Sequence, residues 1–321
     1  MRIVFHGENA RTFEPGFADL LGPGHEISVV ADHPEGADAE AFRRAEVLIG
    51  IELDETHPRL EALRLYQAPA AGVDAIDQRL LPAGVPLCNA FGHERAIAEY
   101  VMAALLARHV PIADADRRLR KGDWRYWAGD PSATRTELGD RTLGLIGFGH
   151  IGRELAARGR AFGMRVVVAN RSPVAPTALV DATHPLDRLG EVMRTADDVV
   201  VSLPLKPDTK GLIGRDAISA MKATGVLVNV GRGPVVDEAA LYEALRDRRI
   251  GGAVIDTWYV YPHARNASPL PACRPFHELD NVVMTPHMAG WTHGTVRRRQ
   301  QTAAENIRRL LAGEPLLNRI R

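Results

Sequence analysis

Gly147, Gly149 and Gly152 lie in the hexapeptide GFGHIG, which has the spacing G-x-G-x-x-G. Alone the spacing says little. Here an apolar run at 141–146 precedes it, and a helix-compatible run at 153–162 follows. A strand, a glycine turn and a helix in that order form a cradle for a dinucleotide pyrophosphate. Gly147 permits the tight turn, Gly149 lets the backbone approach the pyrophosphate, and Gly152 lets the helix pack close to the strand. His150 and Ile151, inside the fingerprint, join the cofactor-binding set, and the N-terminus of the helix that follows favours an anion. The next apolar run ends in Asn170-Arg171-Ser172. An NAD site usually carries an acidic residue about 20 residues beyond the fingerprint, to bind ribose hydroxyls. Asn170 removes that charge, Arg171 can pair with a 2′-phosphate, and Ser172 can donate to it. These residues predict NADP, with NAD as the alternative.

A second set of residues poses a question. The stretch IDTWYVYP (255–262) follows an apolar run and precedes a loop ending in TPH (285–287). A carboxylate is a natural partner for a histidine that titrates near neutrality. This stretch offers Tyr261 instead, and no Asp or Glu lies between Asp256 and Glu278.

The elements that must position these groups read as two alternating series. Residues 2–6, 26–30, 46–51, 63–67 and 85–88 are short apolar strands separated by helix-compatible stretches such as 17–21 and 39–44. That alternation predicts a parallel sheet. A long helix spans 94 to about 119, with apolar residues on most faces, and predicts burial between layers. The polar, aromatic, turn-rich run 121–139 suits an extended arm. From Arg141 a second series holds six strand candidates: RTLGLI, MRVVVAN, DDVVVSLP, GVLVNV, GGAVID and NVVMTPH. The fold class is therefore α/β, with two doubly wound parallel-sheet domains. The segment 295–311 is again helical.

Composition narrows the function. The 321 residues suffice for two domains, and a formal net charge of +0 argues against a general footprint for nucleic acid or an anionic membrane. The basic run Arg297-Arg298-Arg299 reads as a solvated helix face. Cys88 and Cys273 have no paired spacing, so neither a disulfide framework nor a zinc knuckle is expected. No run has the length of a membrane span or the apolar core of a signal peptide. A reduced, cytoplasmic compartment is the default expectation. His93, His263 and His293 lack metal-ligand spacing, and no metal is expected.

Four segments, in order, resemble the D-isomer-specific 2-hydroxyacid dehydrogenases: AAGVDAID (70–77), GFGHIG, NVGRGPVVDE (229–238) and NVVMTPHMAG (281–290). The resemblance implies a Rossmann cofactor domain at 98–289 inserted in a flavodoxin-like substrate domain made of 1–97 and 290–321. It implies an active site in the cleft between them and a homodimer, with the arm 121–139 where such proteins often make dimer contacts. Carried over by position, Arg232 matches the substrate-binding arginine. Its planar fork of donors suits a 2-oxo acid. His287 matches the proton-transfer histidine. The amides near Ala71-Gly72-Val73 match the loop that holds the substrate carboxylate. Asp256 matches an acidic residue near the nicotinamide carboxamide, and Leu203, Pro204 and Thr209 match a loop that packs on the cofactor. Val230 and Gly290, within the same motifs, join the cofactor-binding set. Asn89 either touches substrate or caps the following helix, and Trp258, Tyr259 and Trp291 read as core or partly buried.

The chain departs from the family at Tyr261, where most members carry the glutamate that partners the histidine. Arg232, His287 and Tyr261 are the expected catalytic set. A phenol brings no formal charge near neutral pH, so His287 is expected to stay neutral to lower pH than in relatives. On charge alone, reduction should then be favoured at acidic pH and oxidation should remain efficient near neutrality. The implied activity is hydride transfer between NAD(P)H and a small 2-oxo or 2-hydroxy acid. Formate dehydrogenases of the superfamily carry a non-acidic glutamine at this position and an asparagine matching Asn89, but also a long N-terminal extension that this chain lacks. Phosphite dehydrogenases carry a lysine where this chain has Ala71. A cofactor-sensing, corepressor-like protein is the alternative outside catalysis.

Overall fold

The computed structural model describes residues 1–262 and 268–321. His263 lies outside the described residues. The chain divides into two compact units, Met1–His93 with Trp291–Arg321, and Glu94–Gly290.

Unit 1 is built on β1 (Arg2–His6), β2 (Glu26–Val30), β3 (Val47–Ile49), β4 (Leu65–Gln67) and β5 (Leu87–Cys88). Their order is β2-β1-β3-β4-β5, with every pairing parallel. This is the flavodoxin-like order. Successive residues of a strand face opposite sides, so Val4, Leu48, Tyr66 and Leu87 fill one core layer while Ile3, Phe5, Val47, Ile49 and Leu65 fill the other. Helices α1 (Gly7–Arg11), α2 (Phe17–Leu21) and α3 (Gly36–Arg43) link the first strands.

Unit 2 opens with α4 (Glu94–His109) and α5 (Ile112–Leu119). The single helix expected over 94–119 is thus two, bent by 45° at the break. Pro111, between them, has no N–H to give and its ring clashes with the preceding turn. Nor is α4 buried all round: Ala103 and Ala107 are exposed, while Ile97, Val101 and Leu105 are buried. Among the described residues no single helix is long and apolar enough to cross a membrane.

The sheet of unit 2 comprises β6 (Thr142–Ile146), β7 (Arg165–Asn170), β8 (Ala182–Pro185), β9 (Asp198–Val201), β10 (Val226–Asn229), β11 (Gly252–Ile255) and β12 (Val282–Met284). The order is β12-β11-β10-β9-β6-β7-β8, all parallel. Seven strands replace the six expected. The added β8 has the polar sequence ATHP, sits at the edge and buries no residue fully, so no apolar run announces it. Helices α4 and α6 (His150–Ala161) share a core layer with Leu143, Leu145, Val166, Val168, Val228 and Val254. Helices α7 (Leu189–Thr195), α8 (Arg215–Ser219) and α9 (Glu238–Arg246) cover the other face, against Ile146, Val167, Val199, Leu227 and Ile255.

The chain then returns to unit 1 as α10 (His293–Ala312). Thr292 caps it, accepting from the Thr295 amide at 3.2 Å. Its Ala303, Ala304 and Ile307 pack on the β1–β3–β4 layer. Buried Asn306 donates to the Gln67 side chain at 2.7 Å.

Candidate active site

Parallel strands discharge their loops at their carboxyl ends, and β6 and β9 form the switch point of the seven-stranded sheet. The loops after β6, β7, β9, β10, β11 and β12 carry every motif of unit 2.

After β6, Gly147 has φ +102°, a left-handed conformation that strains any residue with a Cβ. A Cβ on Gly152 would stand 2.5 Å from the Gly147 carbonyl oxygen, so the helix can seat against the turn only through glycine. A Cβ on Gly149 would meet nothing within 4 Å, and Gly149 caps α6 without a side-chain hydrogen bond. The cradle is therefore open at the helix N-terminus, where His150 and Ile151 begin the first turn. That arrangement fits a pyrophosphate.

Asn170 ends β7 and braces this turn. Its Oδ1 accepts from the Phe148 amide at 3.0 Å, and its Nδ2 donates to the Ser172 carbonyl at 2.9 Å. A cavity of about 410 Å³ beside it is lined by Phe148, Arg153, Asn170 and Ser172 among others. The Arg153 guanidinium lies over the Phe148 ring at 5.7 Å. Arg171 forms an ion pair with Asp208 at 2.6 Å, both side chains more than half exposed. Neither Arg153 nor Asp208 was anticipated from the sequence. Asp208 belongs to the loop after β9, in which Thr209 is fully buried and staples its own turn, donating to the Pro204 carbonyl at 2.7 Å. Leu203 packs beside Gly147, its Cδ2 3.0 Å from where a Cβ would be.

After β10, buried Val230 continues the strand pairing through its amide to Val201 at 3.1 Å. Asn229 then folds the turn that presents Arg232: Oδ1 accepts from the Gly231 amide at 3.2 Å, and Nδ2 donates to the Arg232 carbonyl at 3.1 Å.

After β11 and β12, one network fixes the histidine. His287 has φ +57°, a conformation uncommon outside glycine that needs support from its surroundings. Asp256, only 1% exposed, supplies it. Its carboxylate accepts from Thr285 Oγ1 at 2.6 Å, the Met288 amide at 2.9 Å and the Ala289 amide at 3.0 Å. The turn runs on to half-buried Gly290. Tyr100 from α4 joins the same Thr285 hydroxyl at 2.7 Å. Trp258 is a core residue, 4% exposed, and its indole N–H donates to the Thr285 carbonyl at 2.7 Å. The Tyr261 hydroxyl lies 3.0 Å from His287 Nδ1 and accepts from the Trp258 amide at 3.1 Å. Burial pushes the Tyr261 phenol up from its ordinary pKa, against the opposing pull of the Trp258 amide and the Arg232 charge. Tyr261 thus stands where the sequence put it, against His287. Tyr100 and Thr285 are positioning residues that sequence reasoning missed, and Trp258, read there as core or partly buried, is a third.

In unit 1, Asn89 is buried and does not cap α4, which begins at Glu94. Its Nδ2 donates to the Ala71 carbonyl at 2.7 Å, bracing the loop Ala71-Gly72-Val73. The Ile76 amide bonds the Val73 carbonyl at 3.1 Å and closes that loop. Tyr259 is half-buried, whereas Trp291 is exposed and meets the Phe13 ring in a T-shaped contact, at 5.9 Å between centroids. Among the described residues no group of three His, Cys, Asp or Glu side chains could hold a metal ion.

Comparison with known proteins agrees with this geometry. Residues 102–289 match the family described as D-isomer specific 2-hydroxyacid dehydrogenase, NAD binding domain. The chain is 33% identical over 303 residues to a glyoxylate reductase of Thermococcus onnurineus, covering 90% of this chain and 85% of that protein. It is 32% identical over 262 residues to a D-3-phosphoglycerate dehydrogenase of Methanocaldococcus jannaschii, where it spans 80% of itself but only 47% of the longer relative. A solved acyclic imino acid reductase in complex with NADPH and D-Arg superposes with a TM-score of 0.80 at 26% identity, over 100% of both chains. The chain belongs to the D-isomer specific 2-hydroxyacid dehydrogenase family of NAD(P)-dependent oxidoreductases.

Proposed function

We propose that the protein is an NADP-preferring reductase of a small 2-oxo acid, giving the D-2-hydroxy acid. One observation carries the reading: the glycine cradle, Arg232, Asp256, Tyr261 and His287 all emerge at the carboxyl edge of one parallel sheet, where α/β proteins bind their ligands. The bound nicotinamide supplies the hydride. Arg232 holds the acid and polarises its C2 carbonyl, and His287 gives the proton to oxygen. On unit 1, the Ala71-Gly72-Val73 amides hold the substrate carboxylate, with Asn89 keeping the loop in place. Unit 1 serves as the substrate domain expected over 1–97 and 290–321, and unit 2 as the cofactor domain expected over 98–289, the units themselves dividing at 93/94 and 290/291. Leu203, Pro204, Val230 and Gly290 line the cofactor, whereas Thr209, expected to bind it too, is fully buried and holds the turn of its loop instead.

The NADP preference is supported by Asn170, Arg171 and Ser172, and by the cavity that Arg153 shares with them. The NADPH bound to the imino acid reductase points the same way. The structure also qualifies it: a 2′-phosphate must share Arg171 with Asp208 or displace that carboxylate. NAD remains the competing cofactor.

A homodimer in the cytoplasm completes the reading. Ile112, Leu119, Trp124 and Trp127 are exposed along α5 and the arm, and a groove lined by Ala103, Leu106, Ala107 and Val110 runs beside them. Light scattering on the purified protein tests the dimer, and a monomer at micromolar concentration overturns it.

The activity test is oxidation of NADPH and NADH with a panel of 2-oxo acids, and reduction of NADP and NAD by formate and phosphite. Turnover of a 2-oxo acid is expected, at least tenfold more efficient with NADPH. A tenfold preference for NADH overturns the cofactor reading. Turnover of formate or phosphite alone overturns the substrate class, and tight NADPH binding with no turnover favours a sensing protein.

A further inference from the structure

We infer that the substitution at Tyr261 reverses the hydrogen bond to His287: the phenol donates to Nδ1, and neutral His287 keeps its own proton on Nε2. The inference rests on the reading of His287 as the proton-transfer residue, but its geometry stands apart from any substrate. A phenol has one O–H to give. The Trp258 amide donates to the Tyr261 oxygen at 3.1 Å and occupies its acceptor side. His287 Nδ1, 3.0 Å away, is then the partner for the phenolic proton. The Trp258 donor is rigid, because its indole is buried and bonded to Thr285.

A glutamate would do the opposite. An ionised carboxylate only accepts, so it would hold a proton on Nδ1 and leave Nε2 as a bare base. With Tyr261 the neutral ring presents Nε2–H instead. Such a ring suits an acceptor, the carbonyl oxygen of a 2-oxo acid. It is mismatched to a protonated imine nitrogen, which is itself a donor.

The arrangement also supplies a proton source besides imidazolium. As C2 accepts hydride, the carbonyl π pair moves to oxygen, and that oxygen takes the Nε2 proton. Nδ1 takes the phenolic proton in turn. The starting state returns when the Nδ1 proton goes back to the phenolate and Nε2 takes one proton from solvent. One hydride and one proton are consumed, and His287 ends neutral. Tyr261 acts through His287, as a positioning and relay residue. Among the described residues, the charged groups acting on it are Arg232, which favours the phenolate, and Asp256, which opposes it. Burial keeps the phenol protonated through neutral pH. The acid-favoured reduction expected from charge alone therefore gives way to a reduction rate flat through neutrality. Oxidation, which runs the relay backwards and needs the phenolate, rises into alkaline pH.

The test is ¹⁵N NMR of the histidine rings in the full-length protein, with His287 assigned by difference from His287→Gln. In the wild type, His287 is expected as the Nε2–H tautomer at neutral pH. Tyr261→Glu is expected to move the proton to Nδ1, and Tyr261→Phe to give a tautomer mixture. A wild-type Nδ1–H tautomer, or one unmoved by both variants, overturns the proposal. Reduction kinetics give a second readout. Tyr261→Phe should lose kcat about tenfold per pH unit above the imidazole pKa, where the wild type stays flat. A wild-type rate that falls in parallel with Tyr261→Phe overturns the relay. Failure of the substrate reading would look different, as the expected tautomers with no 2-oxo acid turned over.

Discussion

Two of the arginine–aspartate pairs in unit 2 differ mainly in their access to water. Arg141, just before β6, holds Asp198 at the start of β9 through two bonds of 2.8 and 3.0 Å, with side-chain exposures of 9% and 0%. Arg171, just past the end of β7, holds Asp208 at 2.6 Å with exposures of 52% and 61%. The first pair clamps the two central strands at the amino edge of the sheet. The second spans two loops at the carboxyl edge, beside the cradle. A buried pair cannot lose one partner without stranding a charge, whereas an exposed pair can exchange its partner for water or a ligand. The same chemistry therefore fastens one edge of the sheet and leaves the other able to respond to what binds.

The sharpest way to break this comparison is Asp198→Asn. It should cost about 3–5 kcal/mol of stability, read by denaturant unfolding, with cofactor affinity of the folded fraction unchanged. A loss below about 1 kcal/mol would show that burial does not separate the pairs. The pH dependence sharpens it. Burial pushes the Asp198 carboxyl up, but His109 and the Arg141 guanidinium outweigh it and hold the carboxyl below its ordinary value. A depressed carboxyl contributes stability that is fully present above its unfolded pKa, about 3.9, and lost as pH falls through the folded value. The wild-type advantage over Asp198→Asn should thus be constant from about pH 5 upward and shrink in acid. A difference that grows in acid would contradict the assignment.

At the other pair the effects move to the ligand. Arg171→Ala should raise the KM for NADPH about ten- to a hundredfold, the worth of a charge-assisted contact, and leave NADH and thermal stability nearly untouched. Equal changes for both cofactors would remove the 2′-phosphate from the argument. Asp208→Asn is the smallest effect and the most telling. Releasing an exposed pair and removing a repelling carboxylate should lower the KM for NADPH about two- to fivefold. A rise would mean that Asp208 serves by aiming Arg171.

The sequence was most legible where one strong local rule operates. Buried parallel strands are apolar runs, and the five strands of unit 1 and six of unit 2 follow from that pattern alone. The break at Pro111 was open to the same reading, since proline cannot continue a helix, but the apolar run across it hid the stop. β8 has no such run, because an edge strand need not bury its side chains. At the site, Arg232, Tyr261 and His287 were named from motif positions. The groups that hold them were not. Tyr100 is 185 residues from Thr285, and Asp208 is 37 from Arg171, so only the folded sheet unites them. The direction of the Tyr261 hydrogen bond depends on a backbone amide, which no side-chain pattern encodes.

The return of α10 to unit 1 sets an order on the chain's birth. Unit 2 is continuous from Glu94 to Gly290 and can close its core as it leaves the ribosome. The first-made unit cannot. One face of its sheet waits for Ala303, Ala304 and Ile307, and Gln67 waits for Asn306. Until some 240 residues beyond Gln67 have been translated, β1, β3 and β4 present bare apolar surface to the cell. Residues 1–93, synthesised before unit 2, are thus finished after it, and they are where a nascent chain would need a chaperone's cover.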